Sequence, residues 1–358
     1  MTSAARTPPD APAGRSHLIT GSRLIVRSHV VIIDRATVEE LVPMDAAIGV
    51  MREAFARYHA GEVYQPLRSV LQPPGIPGVA IVKPAAVAGR ERLLGMKIVT
   101  EFKGNAGRGL DAIQGAVLLL DTDTGVPCAL VDAGAITAIR TAAVSGLATD
   151  LLARREPAEL AILGAGVQAR SHIAAMVAVR PITAIRVWNR TPERAEALVT
   201  WAVGAGMAVD VSIAATPAEA ANGAGIICTV TASPRPVLPA GSVREGAHIN
   251  AVGAYRPETR EVDSAVVAAA EVFVDSRESA MAEAGDLLIP IGEGLLGRDA
   301  AITAELGEVV AGFHPGRTSA TQITLFKSLG LAFEDVETAG YVVRRAVEAG
   351  AGLQVPFP

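Results

Sequence analysis

Leu160-Ala161-Ile162-Leu163 runs directly into Gly164-Ala165-Gly166-Val167-Gln168-Ala169, and this junction decides the fold. A short apolar strand that breaks into a glycine turn and then a helix aims backbone N–H groups and a helix N-terminus at one point. A pyrophosphate binds at such a point, because the donors and the helix dipole favour negative charge. Gly164 permits the tight turn and Gly166 lets a phosphate approach the backbone. Ala169 is small enough for the third glycine position, where helix packs on strand. The motif alone also fits an ordinary strand-to-helix turn. A second apolar strand, Ile185-Arg186-Val187-Trp188, ends at the distance a dinucleotide site needs, so the segment is read as dinucleotide-binding.

The residues after that second strand bear on which dinucleotide binds. An acidic side chain there holds the ribose 2′-OH of NAD, whereas a 2′-phosphate requires its absence and favours a cation. The chain reads Trp188-Asn189-Arg190-Thr191. Asn189 is neutral, Arg190 can pair with a phosphate and Thr191 can donate a hydrogen bond. Thr191-Pro192-Glu193 also starts a helix, with Thr191 as N-cap, and both roles are compatible. NADP(H) is expected in preference to NAD(H).

The chain has 358 residues, half of them hydrophobic, 19% charged, with a net charge of −5. That length permits two domains with sizeable cores. The negative balance disfavours a nucleic-acid partner. Cys128 and Cys228 lie far apart in apolar contexts and read as reduced core thiols of a cytoplasmic protein. No apolar run approaches the ~20 residues of a membrane span. Residues 1–22, rich in Pro, Ala, Ser and Arg, read as a disordered tail without a secretory signal.

Thr37-Val38-Glu39-Glu40 has the form of a capping box ahead of a helically spaced apolar run. Short β-type runs follow at Leu67–Leu71, Val79–Val82, Leu93–Val99, Ala116–Leu120 and Cys128–Val131. Their tight Pro/Gly connections predict an antiparallel meander. Asp121-Thr122-Asp123-Thr124-Gly125 predicts a hairpin turn rather than a calcium loop, and no metal site is expected. A helix over 134–152 leads into strands near Leu160, Ile185, Ala208, Ile226, Ile249 and Val272, alternating with helices. The expected fold is α/β: a Rossmann-type doubly wound parallel sheet over 151–324, plus a discontinuous α+β domain over 23–150 and 325–358.

Three cations stand where charge is expensive. Lys97 lies in the apolar run Leu93–Val99, Arg140 in the small apolar helix around Ile136–Ala143, and Arg68 in Pro66-Leu67-Arg68-Ser69-Val70. A buried charge needs a counter-charge or a route to water. Each alone fits a snorkelling side chain; together they favour an anionic-ligand pocket. A guanidinium fork suits a carboxylate, and a lysine adds a point charge that can donate a proton.

At these residues the chain resembles the ornithine cyclodeaminase/mu-crystallin family. The likeness covers nearly everything after Val30. It includes Gln65–Arg68, Gly95–Lys97, Asn105, Ile136–Ala143, Gly164–Gln168, His248–Gly253, Glu305–Glu308 and Phe326–Gly330. It implies a homodimer joined through the meander domain, with the active site between the domains. It assigns Arg68, Lys97 and Arg140 to the substrate carboxylate and its neighbouring atoms, and adds Leu329 to the substrate set. To the cofactor it assigns Val167, Gln168, Asn189, Thr231, Val252, Gly253 and Ser328, beside Gly164, Gly166, Arg190 and Thr191. Thr231 also fits a strand-end cap, and Ser328 a residue fixing the turn before the last helix.

One departure separates branches of the family. In Gly253-Ala254-Tyr255-Arg256-Pro257, Tyr255 stands where ornithine cyclodeaminases carry a proton-transferring aspartate. A tyrosine substitutes poorly for it unless its pKa is strongly perturbed. The pattern looks like the mu-crystallin branch, which implies NADPH-dependent reduction of a small 2-carboxylated imine such as Δ1-piperideine- or Δ1-pyrroline-2-carboxylate. Lys97 and Tyr255 are the catalytic candidates, although Tyr255 fits plain packing equally well. Lys83, before Pro84, is a second departure: either extra charge for a dicarboxylate substrate or a solvated strand end. Three alternatives stay open: an alanine or N-substituted amino-acid dehydrogenase, an NAD-dependent ornithine or lysine cyclodeaminase, and a non-catalytic NADPH or small-ligand binding protein.

Overall fold

Two sheets divide the chain in this computed structural model, which describes residues 29–357; the expected tail at 1–22 lies outside the described residues. The first sheet contains β1 (His29–Ile33), β2 (Val63–Tyr64), β3 (Ser69–Leu71), β4 (Val79–Val87), β5 (Leu93–Glu101), β6 (Ile113–Leu120) and β7 (Pro127–Asp132). The second contains β8 (Ala158–Leu163), β9 (Ile182–Trp188), β10 (Asp210–Ile213), β11 (Ile226–Thr229), β12 (His248–Ala251), β13 (Ala270–Val274), β14 (Ala304–Glu305) and β15 (Ile323–Lys327). The chain then returns to the first sheet through β16 (Leu353–Pro356), which pairs antiparallel with β1.

The second sheet is parallel throughout, in the order β10-β9-β8-β11-β12-β15-β13-β14. The order reverses between β8 and β11, and the glycine turn follows β8 at that switch point, where open α/β sheets bind ligands. Both strands are apolar and almost wholly buried because helices cover both faces. β15 belongs wholly to this sheet, so the change of sheet comes after Lys327 rather than between residues 324 and 325.

The first sheet is mixed. β4 to β7 form the antiparallel meander the turn residues predict, but β1 adds alongside β7 in parallel. One face packs against the helices Met44–His59, Ala133–Leu152 and Ala332–Ala349 around a continuous core that includes Phe55, Ile136, Leu147 and Phe333. The other face carries Val82, Met96, Ile98 and Leu118, none of them fully buried. Ala133–Leu152 is long and apolar enough to cross a membrane, but 83% of its most apolar window is buried inside the protein.

Local signals resolve differently in two places. Asp34, not Thr37, caps the first helix: its carboxylate accepts from the Thr37 N–H at 2.9 Å, and Pro43 splits the expected helix in two. The run at 67–71 forms a strand only from Ser69, with its side chains exposed, so Arg68 lies in the segment before it. Asp121 does make the expected turn, accepting from the Thr124 N–H at 2.8 Å.

Candidate active site

The glycine turn has the geometry its sequence predicts. Gly164 adopts φ +117°, and a β-carbon there would stand 2.8 Å from the Val230 carbonyl oxygen. Only glycine fits without strain. A β-carbon on Gly166 would meet nothing within 4 Å, so the space over the N-terminus of Val167–Val179 is open to a ligand. Asn189 ties the second strand to this turn: its Oδ1 accepts from the Ala165 N–H at 3.2 Å and its Nδ2 donates to the Thr191 carbonyl at 2.8 Å. Thr191 is the N-cap of Pro192–Gly204, yet its side chain makes no cap bond. Arg190 is exposed, and no carboxylate among the described residues lies within ion-pair distance of it. Asn189, Arg190 and Thr191 stand beyond the central cleft rather than lining it.

That cleft, about 410 Å³, opens between the two sheets. The first sheet and its helices contribute Arg68, Lys83, Lys97, Glu101 and Arg140; the nucleotide half contributes Gly166, Val167, Gln168, Thr231, Val252, Gly253, Tyr255, Ser328 and Leu329. Gln168 donates to the Thr137 carbonyl at 3.3 Å, while its Oε1 is buried without a partner. An orphaned acceptor, an open glycine and a helix N-terminus on one wall fit a dinucleotide.

The three predicted cations line this cleft, each paired with a carboxylate that does not line it. Lys97 Nζ donates to Thr137 Oγ1 at 2.9 Å and to Asp335 Oδ1 at 2.8 Å. Arg140 Nε reaches the same Asp335 oxygen at 2.8 Å, and its Nη1 reaches Glu334 at 2.8 Å. Arg68 Nη2 donates to the Leu329 carbonyl at 3.0 Å and lies 2.8 Å from Glu283. These bonds leave donors unspent. A lysine has three N–H groups and an arginine five, so each cation keeps capacity for a further acceptor.

Electrostatics follow from burial. Burial lowers the Lys97 ammonium, and Asp335 offsets it only partly, leaving its pKa at about 8. Burial alone would raise the Asp335 carboxyl, but Arg140 and then Lys97 outweigh that and hold it well below its usual range. Tyr255 donates to Glu101 in a very short hydrogen bond; burial and then that carboxylate push the phenol up to about 12.

Sequence reasoning missed the carboxylates that hold the site in place. Glu261, fully buried, accepts from the Thr231 N–H at 2.6 Å, the Gly253 N–H at 2.5 Å and the Thr229 hydroxyl at 2.9 Å. Asp275 accepts from the N–H groups of Leu329 and Gly330 at 2.5 and 2.9 Å, fixing the turn after Ser328. Glu334 and Asp335 lie in the first turn of the helix Ala332–Ala349. The need of Lys97 and Arg140 for counter-charge was the signal that they exist. Of the two readings of Lys83, the solvated strand end is excluded: the residue sits mid-strand and buried.

Comparison with known proteins agrees with this architecture. A Delta(1)-pyrroline-2-carboxylate reductase of Bacillus cereus is 37% identical over 92% of this chain and 100% of its own length. The ketimine reductase mu-crystallin of Mus musculus is 41% identical over 84% of this chain and 90% of its own. The Thermococcus litoralis Delta(1)-pyrroline-2-carboxylate reductase, solved with NADH and L-proline, superposes with a TM-score of 0.87 at 36% identity, covering 91% of this chain and 100% of the other. The Ornithine cyclodeaminase/mu-crystallin family matches residues 28–350. With a glycine turn at the sheet's switch point facing a cluster of buried cations, this chain belongs to the ornithine cyclodeaminase/mu-crystallin family.

Proposed function

We propose that the chain is an NAD(P)H-dependent reductase of small 2-carboxylated imines. One observation carries the reading: Arg68, Lys97 and Arg140 converge on the cleft that the glycine turn lines. The relatives named as imine and ketimine reductases support it. The residues proposed to hold the dinucleotide are Gly164, Gly166, Val167, Gln168, Asn189, Thr231, Val252, Gly253 and Ser328. Arg190 and Thr191 would meet a 2′-phosphate, which favours NADP(H). When bound, the reduced nicotinamide supplies a hydride to the imine carbon.

The rest falls to the side chains. Arg68 and Arg140 clamp the α-carboxylate through their unspent donors, and Leu329 closes the wall beside them. Lys97 binds the same end of the substrate and gives the imine nitrogen a proton, which its lowered pKa makes easier. Reduction of an iminium is mainly a positioning task. Tyr255 holds its proton against Glu101, so it walls the pocket, and Lys97 is the proton donor. That arrangement also disfavours a cyclodeaminase, whose chemistry moves protons on and off two nitrogens.

The domains proposed are a nucleotide unit from about residue 151 and a substrate unit built from both ends of the chain. The apolar outer face of the first sheet supports a homodimer formed by pairing those faces. The free, buried thiols of Cys128 and Cys228 are consistent with the cytoplasm.

The test is oxidation of NADPH, with NADH in parallel, against a panel of cyclic and open-chain 2-imino acids. Turnover of a 2-carboxylated imine is expected, lost in Lys97→Ala with nucleotide affinity retained. Ammonia release from ornithine with catalytic NAD+, and no imine reduction, would replace this reading with the cyclodeaminase one.

A further inference from the structure

Lys83 and Lys97 face each other directly across β4 and β5. In β4 the side chains alternate, and Lys83 falls on the inward row with Val79, Ile81, Ala85 and Val87. Directly opposed like charges destabilise a sheet, and a buried ammonium without a partner is costly. Every other cation of the cleft has a carboxylate: Lys97 and Arg140 share Asp335, and Arg68 has Glu283. Among the described residues Lys83 makes one hydrogen bond, to the Gly330 carbonyl at 3.1 Å, and has no carboxylate within ion-pair distance. Burial, then Arg68 and Lys97, hold its ammonium well below the usual lysine range.

Its placement says what would relieve this cost. Lys83 bonds the carbonyl of Gly330, and Arg140 packs against the bare α-carbon of the same glycine. Arg68 bonds the preceding carbonyl, that of Leu329. The carboxylate clamp and Lys83 are therefore one residue apart around a single turn. Lys83 also lines an adjoining cavity of about 210 Å³, which shares Arg68 and Gly330 with the cleft and is lined as well by Glu278 and Glu283.

We infer that Lys83 binds a second carboxylate, so that the preferred substrate is a short-chain 2-imino dicarboxylate. This rests on the reductase reading and specifies its substrate. The α-carboxylate would lie on Arg68 and Arg140, and the distal carboxylate would supply the anion Lys83 lacks.

The experiment compares wild type with Lys83→Met. Substrates are the open-chain imines formed from oxaloacetate or 2-oxoglutarate with ammonia, and the monocarboxylate Δ1-pyrroline-2-carboxylate. Wild type is expected to reduce the dicarboxylates, and the dicarboxylate-to-monocarboxylate ratio of kcat/KM should fall about a hundredfold in the variant, mostly through KM. An unchanged ratio, with wild type active on the monocarboxylate, overturns the role of Lys83 and leaves the reductase reading standing. Wild type inert toward every imine overturns both. A second measurement needs no variant: succinate should inhibit wild type about thirtyfold more tightly than propionate, and equal inhibition would overturn the inference even if Lys83→Met fails to fold.

Discussion

Lys97 Nζ stands 2.8 Å from Oδ1 of Asp335, and both side chains are buried, Lys97 at the wall of the cleft. The same oxygen accepts from Arg140, so one carboxylate from the helix Ala332–Ala349 fixes two cations from two other elements. The proposed grip on the substrate therefore depends on a residue that does not line the cleft.

Replacing Asp335 with Asn would leave Lys97 and Arg140 buried with less than their counter-charge. Breaking a buried pair in this way costs about 3–5 kcal/mol. Urea denaturation should report a loss of that size. A variant with the wild-type midpoint would show that the ion pairs contribute nothing to the fold.

The pH profile should carry the mark of Lys97. Its folded-state pKa is lowered from 10.5 to about 8, and in the proposed mechanism the protonated form binds and donates. kcat/KM is therefore expected to fall tenfold per unit above about pH 8. Stability has the opposite sign: between about 8 and 10.5 the unfolded chain keeps a proton the folded one has released, so this residue favours folding as pH rises. Lys97→Arg should remove the limb at lower activity; a limb that persists unchanged in that variant assigns it elsewhere.

Gly164 and Gly166 should separate fold from binding. Alanine at 164 meets a carbonyl at positive φ and should cost about 1–3 kcal/mol, seen as a lower melting temperature. Alanine at 166 enters open space, so the melting temperature should hold while dinucleotide affinity drops. Equal affinity in Gly166→Ala would place the pyrophosphate somewhere else.

Arg190→Glu tests the cofactor preference. A charge-assisted bond to phosphate contributes about 1.5–3 kcal/mol, so KM for NADPH should rise at least about tenfold while KM for NADH changes little. Parallel loss with both cofactors would mean that Arg190 does not meet a 2′-phosphate.

The glycine turn was legible because its chemistry is local: six consecutive residues specify turn, approach and packing. Lys97 and Arg140 were legible as charges inside apolar runs. Their partners were not, because Asp335 lies 238 residues from Lys97 and 195 from Arg140, and no local pattern links them. Lys83 could not be placed from sequence, because the proline after it argues against a strand interior. The fold admits it because β3 pairs with β4 only up to Val82 and β2 only from Ala86. Pro84 falls in the gap, where that edge has no ladder to interrupt. The segment between β2 and β3 contains Arg68 and crosses the same gap, which is how an arginine next to an exposed strand reaches a buried turn.

Along β5, Lys97 points into the cleft and Ile98, 45% exposed, points the opposite way. One peptide unit thus joins the chemistry to the surface on which two copies would meet. If the proposed dimer pairs these faces, separating the copies would disturb the ribbon of β4 and β5 that carries both lysines. Catalysis and assembly should then fail at the same dilution, as two readouts of one pleat.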